Sequence, residues 1–155
     1  MLSKSEREFY RKTAIRCFNE TWDYLEKRYR TQQEDQKMLQ LAHASRYHWG
    51  LVGTSRNRAV GDWQISRVYA ALKEPHLSLL FAKSSLKICR REKLSEIMAT
   101  AYEAVARAYA VAEDHVSARK YLRLARDQLG TLDLKVEDRK VYADQIDDTE
   151  KLIAR

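Results

Sequence analysis

The side chains best suited to chemistry crowd into one segment, from His43 to Tyr69. They either stack through flat rings or donate several hydrogen bonds, and the site candidates among them are His43, Arg46, His48, Trp49, Arg56, Arg58, Trp63 and Arg67. Arginine presents a planar fork to carboxylate or phosphate, and aromatic rings offer faces to cations and planar groups. The segment therefore predicts a pocket or groove for an anionic or planar ligand.

The same segment has a second, purely structural interpretation. A polar network can lock the junction between two helices, provided that its donors and acceptors are paired. Asp62 is placed to bond Arg58, four residues earlier, and His48 or Arg46 across a helical hairpin. A buried network and a binding site use the same residue types, so both interpretations stay open at this point.

Catalysis and metal binding are not expected. His43 and His48 are five residues apart, about 140° around a helix, so they do not share a face as metal ligands at i, i+4 do. Cys17 and Cys89 fall on apolar stripes, where cysteine acts as a small hydrophobic residue. The chain has no glycine-rich phosphate loop and no GxSxG motif. A His48–Asp62 acid–base pair lacks a nucleophile, so we expect no enzyme, no cofactor and no metal.

Composition predicts a single all-α domain. The 155 residues include only 4 Gly and 1 Pro, too few for the tight turns of a sandwich or barrel. No apolar run approaches the ~18 residues of a membrane span, so no membrane partner is expected. The charged N-terminus lacks the apolar core of a secretory signal, and two isolated cysteines suit a reducing compartment. We therefore expect a cytoplasmic protein.

Apolar residues that recur at steps of three and four predict seven helices. Their start signals are possible capping boxes at Ser5–Glu8 and Thr31–Glu34, caps at Thr54 or Ser55, Pro75 in a first turn, and caps at Asp114 and Asp133. The helices recur in pairs, since Val68–Ser78 resembles Ala108–Ser117 and Tyr69 lies 40 residues before Tyr109. A period near 40 in a helical chain is typical of a solenoid.

The pair that starts at Met98 and reads MATAYEAVARAYAVAEDHVSARKYLRLARDQLG resembles a tetratricopeptide repeat, clearly so over Ala99–Gly130. Tyr102 takes the aromatic place of that family and Tyr109 the tyrosine place, and the remaining places are taken by Val105, Ala106, Ala118, Leu122 and Ala125. The resemblance implies a tetratricopeptide-like α-solenoid: hairpins at about 5–53, 54–92 and 94–130, then a capping helix at about 133–154. Residues 42–69 are also similar to uncharacterised bacterial proteins, to which we attach no activity.

The resemblance also implies that the first helix of each pair lines a concave groove. In that register Trp63 and Arg67 correspond to Glu103 and Arg107, and the two arginines point the same way. Two aligned arginines suit an acidic peptide or a C-terminal carboxylate. The alternative is that each arginine pairs internally, Arg107 with Glu103 and Arg67 with Asp62.

The net charge of +7, from 29 Lys and Arg against 22 Asp and Glu, favours an anionic partner. We expect a non-catalytic helical-repeat protein that binds a protein or peptide partner, acidic if the charge decides. The alternatives are an anion or small-ligand binder that uses the His43–Tyr69 cluster, and self-association as a homo-oligomer. Nucleic acid is disfavoured, because no run of five Lys or Arg and no zinc-finger spacing occurs.

Overall fold

The structure is a computed structural model that describes residues 1–154. Within that range the chain forms seven α-helices and no strand: α1 (Lys4–Leu25), α2 (Gln32–Val52), α3 (Ser55–Ala71), α4 (Pro75–Glu92), α5 (Ser95–Val111), α6 (His115–Gly130) and α7 (Val136–Ile153). The prediction of an all-α chain is confirmed. None of these described helices is both long and apolar enough to cross a membrane.

The helix caps follow the sequence signals at most ends. Thr31 and Thr54 cap α2 and α3 through capping boxes, Pro75 opens α4, and Asp114 caps α6 by accepting the Ser117 amide. Two predictions were wrong by a few residues. The first capping box is Ser3–Glu6 instead of Ser5–Glu8, and the cap of α7 is Lys135 instead of Asp133. An extended backbone at Ser3 and Lys135 leaves the turn before each helix open, which local side-chain chemistry does not fix.

Consecutive helices pack as antiparallel pairs, α1 with α2, α3 with α4 and α5 with α6. The pairs are joined through α2 against α3 and α4 against α5, while α7 packs on α5 and α6. The odd-numbered helices also meet one another, α1 with α3, α3 with α5 and α5 with α7. The C-terminal ends of the first three therefore lie side by side, and this edge carries the site described below.

Small residues hold the two helices of each pair close together. The Ser45 hydroxyl donates to the Ala14 carbonyl at 2.8 Å in the first pair. The Ser85 hydroxyl donates to the Ala59 carbonyl at 2.8 Å in the second. In the third pair, alanines take the equivalent places, 40 residues later, and both Ala99 and Ala125 are buried.

A second close contact shows the same substitution of serine for alanine. Ser66 and Ser78 are buried, and each hydroxyl donates to the other residue's carbonyl, at 2.8 and 2.9 Å. Forty residues later stand Ala106 and Ala118, both fully buried. Serine at these places therefore keeps the close approach and satisfies its own hydroxyl, so the departure from the repeat pattern is compatible with tight packing.

The turns within the second and third pairs repeat in detail. Lys73 and Glu113, 40 residues apart, both adopt a left-handed backbone, with φ of 59° and 62°. The amide of the next residue then donates back to a helical tyrosine carbonyl, Glu74 to Tyr69 at 2.9 Å and Asp114 to Tyr109 at 3.0 Å. Such a left-handed residue closes a helix C-terminus. The 40-residue period is therefore present in the backbone as well as in the sequence.

The packing at Ala118 can be tested by enlarging it. We expect Ala118→Leu to lower the free energy of unfolding by about 1–3 kcal/mol, because the added atoms overpack a contact where the side chain has no exposed surface. Urea denaturation measures the change, and Val116→Leu, at a position 80% exposed, is the matched control. An Ala118→Leu variant as stable as wild type would show that α5 and α6 are not closely packed there.

Candidate functional site

A groove with a cavity of about 880 Å³ lies at the C-terminal ends of α1, α3 and α5, bordered by the start of α6 and by α7. Two arginines line it, Arg67 from α3 and Arg107 from α5. Its walls are apolar in part, through Leu25, Val111 and Leu152. A cavity of this volume, partly apolar and with a few convergent polar groups, is typical of a ligand site.

Arg67 is the unusual residue of this groove. Its guanidinium lies 5.2 Å from the ring centroid of Trp22 and 5.7 Å from that of Trp63, so it is held by cation–π contacts to two indoles. Within residues 1–154 it forms no hydrogen bond and no ion pair, and its Nη1 is buried without a partner. A buried guanidinium without an acceptor is costly, because five N–H donors have left water.

Arg107 has a partner but is not saturated. Its Nε donates to Glu103 Oε1 at 2.8 Å, four residues earlier on α5, and that carboxylate also accepts a hydrogen bond from Thr149 of α7. Glu103 is almost fully buried, and Arg107 Nη2 is buried with no partner in the described chain. The predicted internal pairing is therefore present for Arg107. It is absent for Arg67, since Asp62 pairs elsewhere.

The charges of the groove act on one another. Burial lowers the pKa of Arg67 to about 10, and the neighbouring Arg107 lowers it further, against the attraction of Glu103 and Asp148. Burial by itself would raise the pKa of Glu103. Arg107 and Arg67 outweigh it, and with hydrogen bonds from Thr149 and Arg107 they hold that pKa below its ordinary value. At neutral pH both arginines and Glu103 are therefore charged, with one carboxylate shared between two guanidinium groups.

Four of the ten candidate residues thus come together, but not all line the groove. Arg67 and Arg107 face the cavity, whereas Trp63 and Glu103 are buried behind them. The expectation that Trp63 forms a wall needs correction, because its ring lies in the core beside Trp22, with ring centroids 5.6 Å apart. Trp63 acts on the groove only through Arg67.

The other six candidates lie outside the groove, at the junction of α2 with α3 and α4. Arg46 Nε donates to Asp62 Oδ1 at 2.7 Å, and Asp62 also accepts from the Ser84 hydroxyl at 2.7 Å. This is the polar network that the structural interpretation describes. Gly61 lets Arg46 lie across α3, because a Cβ there would meet Arg46 Cδ at 2.7 Å.

The remaining candidates are spread around this junction. His43 bonds the Tyr69 hydroxyl at 3.1 Å, and burial lowers its pKa despite Asp62 nearby. His48 stacks on Tyr10 of α1, with ring centroids 5.3 Å apart. The last three stand at the start of α3, where Arg58 bonds the Gly53 carbonyl, Trp49 packs against Gly53, and Arg56 borders a small separate hollow beside Lys93. These residues do not converge on one cavity.

Sequence reasoning missed Trp22, Lys73 and Thr149. Trp22 lies 45 residues before Arg67, so a strict period of 40 does not align them, and its place on an apolar stripe conceals its contact with a cation. Thr149 belongs to α7, outside the repeat. Lys73 and Glu113 lie 40 apart and their signal was available, since both turns reach the groove.

The arrangement is built for binding an anion. Two guanidinium groups at one wall match the oxygens of a carboxylate, and apolar walls beside them accept aliphatic groups. Within residues 1–154 no three His, Cys, Asp or Glu side chains come together as a metal site would require. Neither a serine, a cysteine nor a histidine is placed against the arginine pair as a nucleophile and base would be.

Comparisons with known proteins add no family or relative: no protein-family model, no curated protein and no solved structure matches this chain.

The pH dependence of folding tests the Glu103 site. Because the folded-state pKa of Glu103 is lowered, its ionised form stabilises the fold above the ordinary value of 4.5, and that contribution disappears as pH falls through the lower folded value. We expect the stability difference between wild type and Glu103→Gln to be largest near neutral pH and to shrink below about pH 4.5. Glu137→Gln, an exposed carboxylate of α7, is the control. A difference independent of pH would contradict the shared ion pair.

A second prediction concerns the network at the α2–α3 junction. Asp62→Ala leaves Arg46 Nε and the Ser84 hydroxyl without their acceptor. We expect it to lower the free energy of unfolding by about 1–3 kcal/mol, the cost of unpaired polar groups that water partly reaches. Glu8→Ala, which removes an exposed pair with Lys12, should cost less than about 0.5 kcal/mol in the same thermal or urea melts. Equal effects of the two substitutions would show that the network is not structural.

Proposed function

We propose that this chain is a non-catalytic, tetratricopeptide-like helical-repeat protein of the cytoplasm. Its groove binds an acidic segment of a partner protein through Arg67 and Arg107. The observation that carries the proposal is Arg67, buried against two indoles at the wall of the groove and without an internal acceptor. The features below support it one by one.

The solenoid arrangement is supported by the repeated contacts. Each odd-numbered helix packs against the next odd-numbered one, and each pair has small residues at the same close contact. The 40-residue repetition of the turns at Lys73 and Glu113 adds to this. Stacked helical pairs with α7 closing one end are the arrangement that such a repeat family uses.

An anionic ligand is supported by the charge balance at the base of the groove. Glu103 is the one carboxylate in contact with a groove arginine in the described chain, and it contacts Arg107 only. Arg67 is repelled by Arg107 and has given up water for two aromatic faces. A carboxylate from outside would relieve both effects, since it would supply the acceptor and the charge that Arg67 lacks.

A peptide segment is favoured over a compact ion by the shape and rim of the groove. The lining extends from α1 across α3 and α5 to α7, which is longer than one carboxylate needs. Glu26, Lys73 and Glu113 stand at the rim, with both signs of charge, while Leu25 and Leu152 offer apolar contacts. Mixed charge around an apolar floor suits a chain with acidic and aliphatic side chains.

The test compares wild type with Arg67→Met, which keeps the length of the side chain and removes the charge. The probe is an array of short synthetic peptides rich in Asp and Glu, each beside its Asn and Gln counterpart. We expect wild type to bind a subset of the acidic peptides, and Arg67→Met to bind them about 10- to 100-fold more weakly, for a lost charge-assisted pair. We also expect its free energy of unfolding to stay within about 1 kcal/mol of wild type, because the lost cation–π contacts are offset by the relieved desolvation.

Lys87→Met is the matched control, since Lys87 is an exposed cation outside the groove. It should keep the peptide binding of wild type. Two results would overturn the proposal: no acidic peptide binds the wild type better than its amide counterpart, or Arg67→Met binds as well as wild type. A large loss of stability with unchanged binding would make Arg67 a structural residue.

A further inference from the structure

The positive charge of the chain is concentrated on two helices away from the groove. Together α4 and α6 carry eight Lys or Arg against two acids, which is a net of +6 out of the chain's +7. The C-terminal helix α7 is acidic by contrast. The surplus therefore belongs to one region of the fold and is not spread as a general solvated surface.

Six of these cations are exposed and free of ion pairs within residues 1–154, and we name them the basic face: Lys83, Lys87, Arg90, Arg119, Lys120 and Arg123. The other two are neutralised. Arg91 pairs with Glu92, and Arg126 pairs with Asp147 and Glu150 of α7. The unpaired cations repel one another, so the basic face is held together by the fold and not by its own charges.

The two halves of the basic face are joined through aromatic rings. Arg90 of α4 lies 5.7 Å from the Tyr102 ring centroid, and Lys120 of α6 lies 5.9 Å from that of Tyr121. The two tyrosine rings are themselves 6.4 Å apart. On α4 the cations Lys83, Lys87 and Arg90 follow at i, i+4 and i+7, so they share one side of the helix.

This composition decides between classes of anionic partner. From Lys83 to Arg90 and from Arg119 to Arg123 no large apolar side chain is exposed, whereas a protein interface needs an apolar core. Exposed Leu80 and Val116 stand only at the N-terminal edge. Interfaces with nucleic acid are the more polar and more strongly positive class. We propose that the basic face binds the phosphate backbone of nucleic acid, without reading its sequence.

The inference is independent of the groove and runs against the expectation from the linear sequence. No run of five cations exists along the chain, because helical spacing separates them by three or four residues. Folding brings the two short sets side by side, with α5 between them. A surface built in this way supplies backbone affinity, which depends on charge density and not on a contiguous run.

The experiment is fluorescence anisotropy with short labelled oligonucleotides of mixed sequence, as single-stranded RNA, single-stranded DNA and duplex DNA. Wild type should bind at least one of the three, with an affinity that falls steeply between about 50 and 200 mM salt. Lys83→Gln/Lys87→Gln should bind about tenfold more weakly, and its logarithmic salt slope should be smaller by about 1–2. Arg119→Gln/Arg123→Gln on α6 should behave alike and covers a failure of the first variant to fold.

Arg7→Gln/Arg11→Gln is the control, because it removes the same charge from exposed positions on α1. It should change the affinity less than twofold. The proposal is overturned if wild type binds none of the oligonucleotides at about 50 mM salt, or if the α1 variant loses as much affinity as the α4 variant. It is also overturned if polyglutamate competes as well as RNA or DNA at equal charge, since the face would then select acidic polypeptide.

Discussion

The close approach of the two helices in each pair is the constraint on which the rest of the structure depends. Ser45 on Ala14 and Ser85 on Ala59 repeat one contact in the first two pairs, and alanines repeat it in the third. Larger residues at these places would push the helices apart. Because the pairs are equally tight, their first helices stack in register, and the C-terminal ends of α1, α3 and α5 form one edge.

That edge sets the position of the arginine pair. Arg67 and Arg107 stand 40 residues apart on neighbouring helices, and Trp22 on the helix before them provides the ring on which Arg67 lies. Only Arg107 receives a carboxylate from its own helix. The fold therefore holds one guanidinium in a position that costs stability, which is common where a protein keeps a group for a ligand. The basic face is different, because its cations remain in water and cost little.

Much of the fold could be predicted from the sequence, because apolar periodicity and capping chemistry act locally. The start of α2 at Thr31 and the opening of α4 by Pro75 are examples. The site was harder. The cluster from His43 to Tyr69 is continuous in sequence but divided in space, since residues on opposite sides of α3 reach different neighbours, Arg46 for Asp62 and Trp22 for Arg67. The irregular spacing of 45 residues before the second pair, and the acceptor that α7 brings through Thr149, depend on tertiary contacts that no local pattern records.

The central claim is that the Arg67 guanidinium is open to a carboxylate from outside. It is tested most directly by the side-chain Nε–H resonances of the arginines in a heteronuclear NMR titration with blocked tetraglutamate, against blocked tetraglutamine at equal ionic strength. The account predicts a saturable shift at Arg67, a smaller one at Arg107, and none at Arg46, which Asp62 already occupies. Shifts of equal size at all arginines, or a silent Arg67, would contradict it.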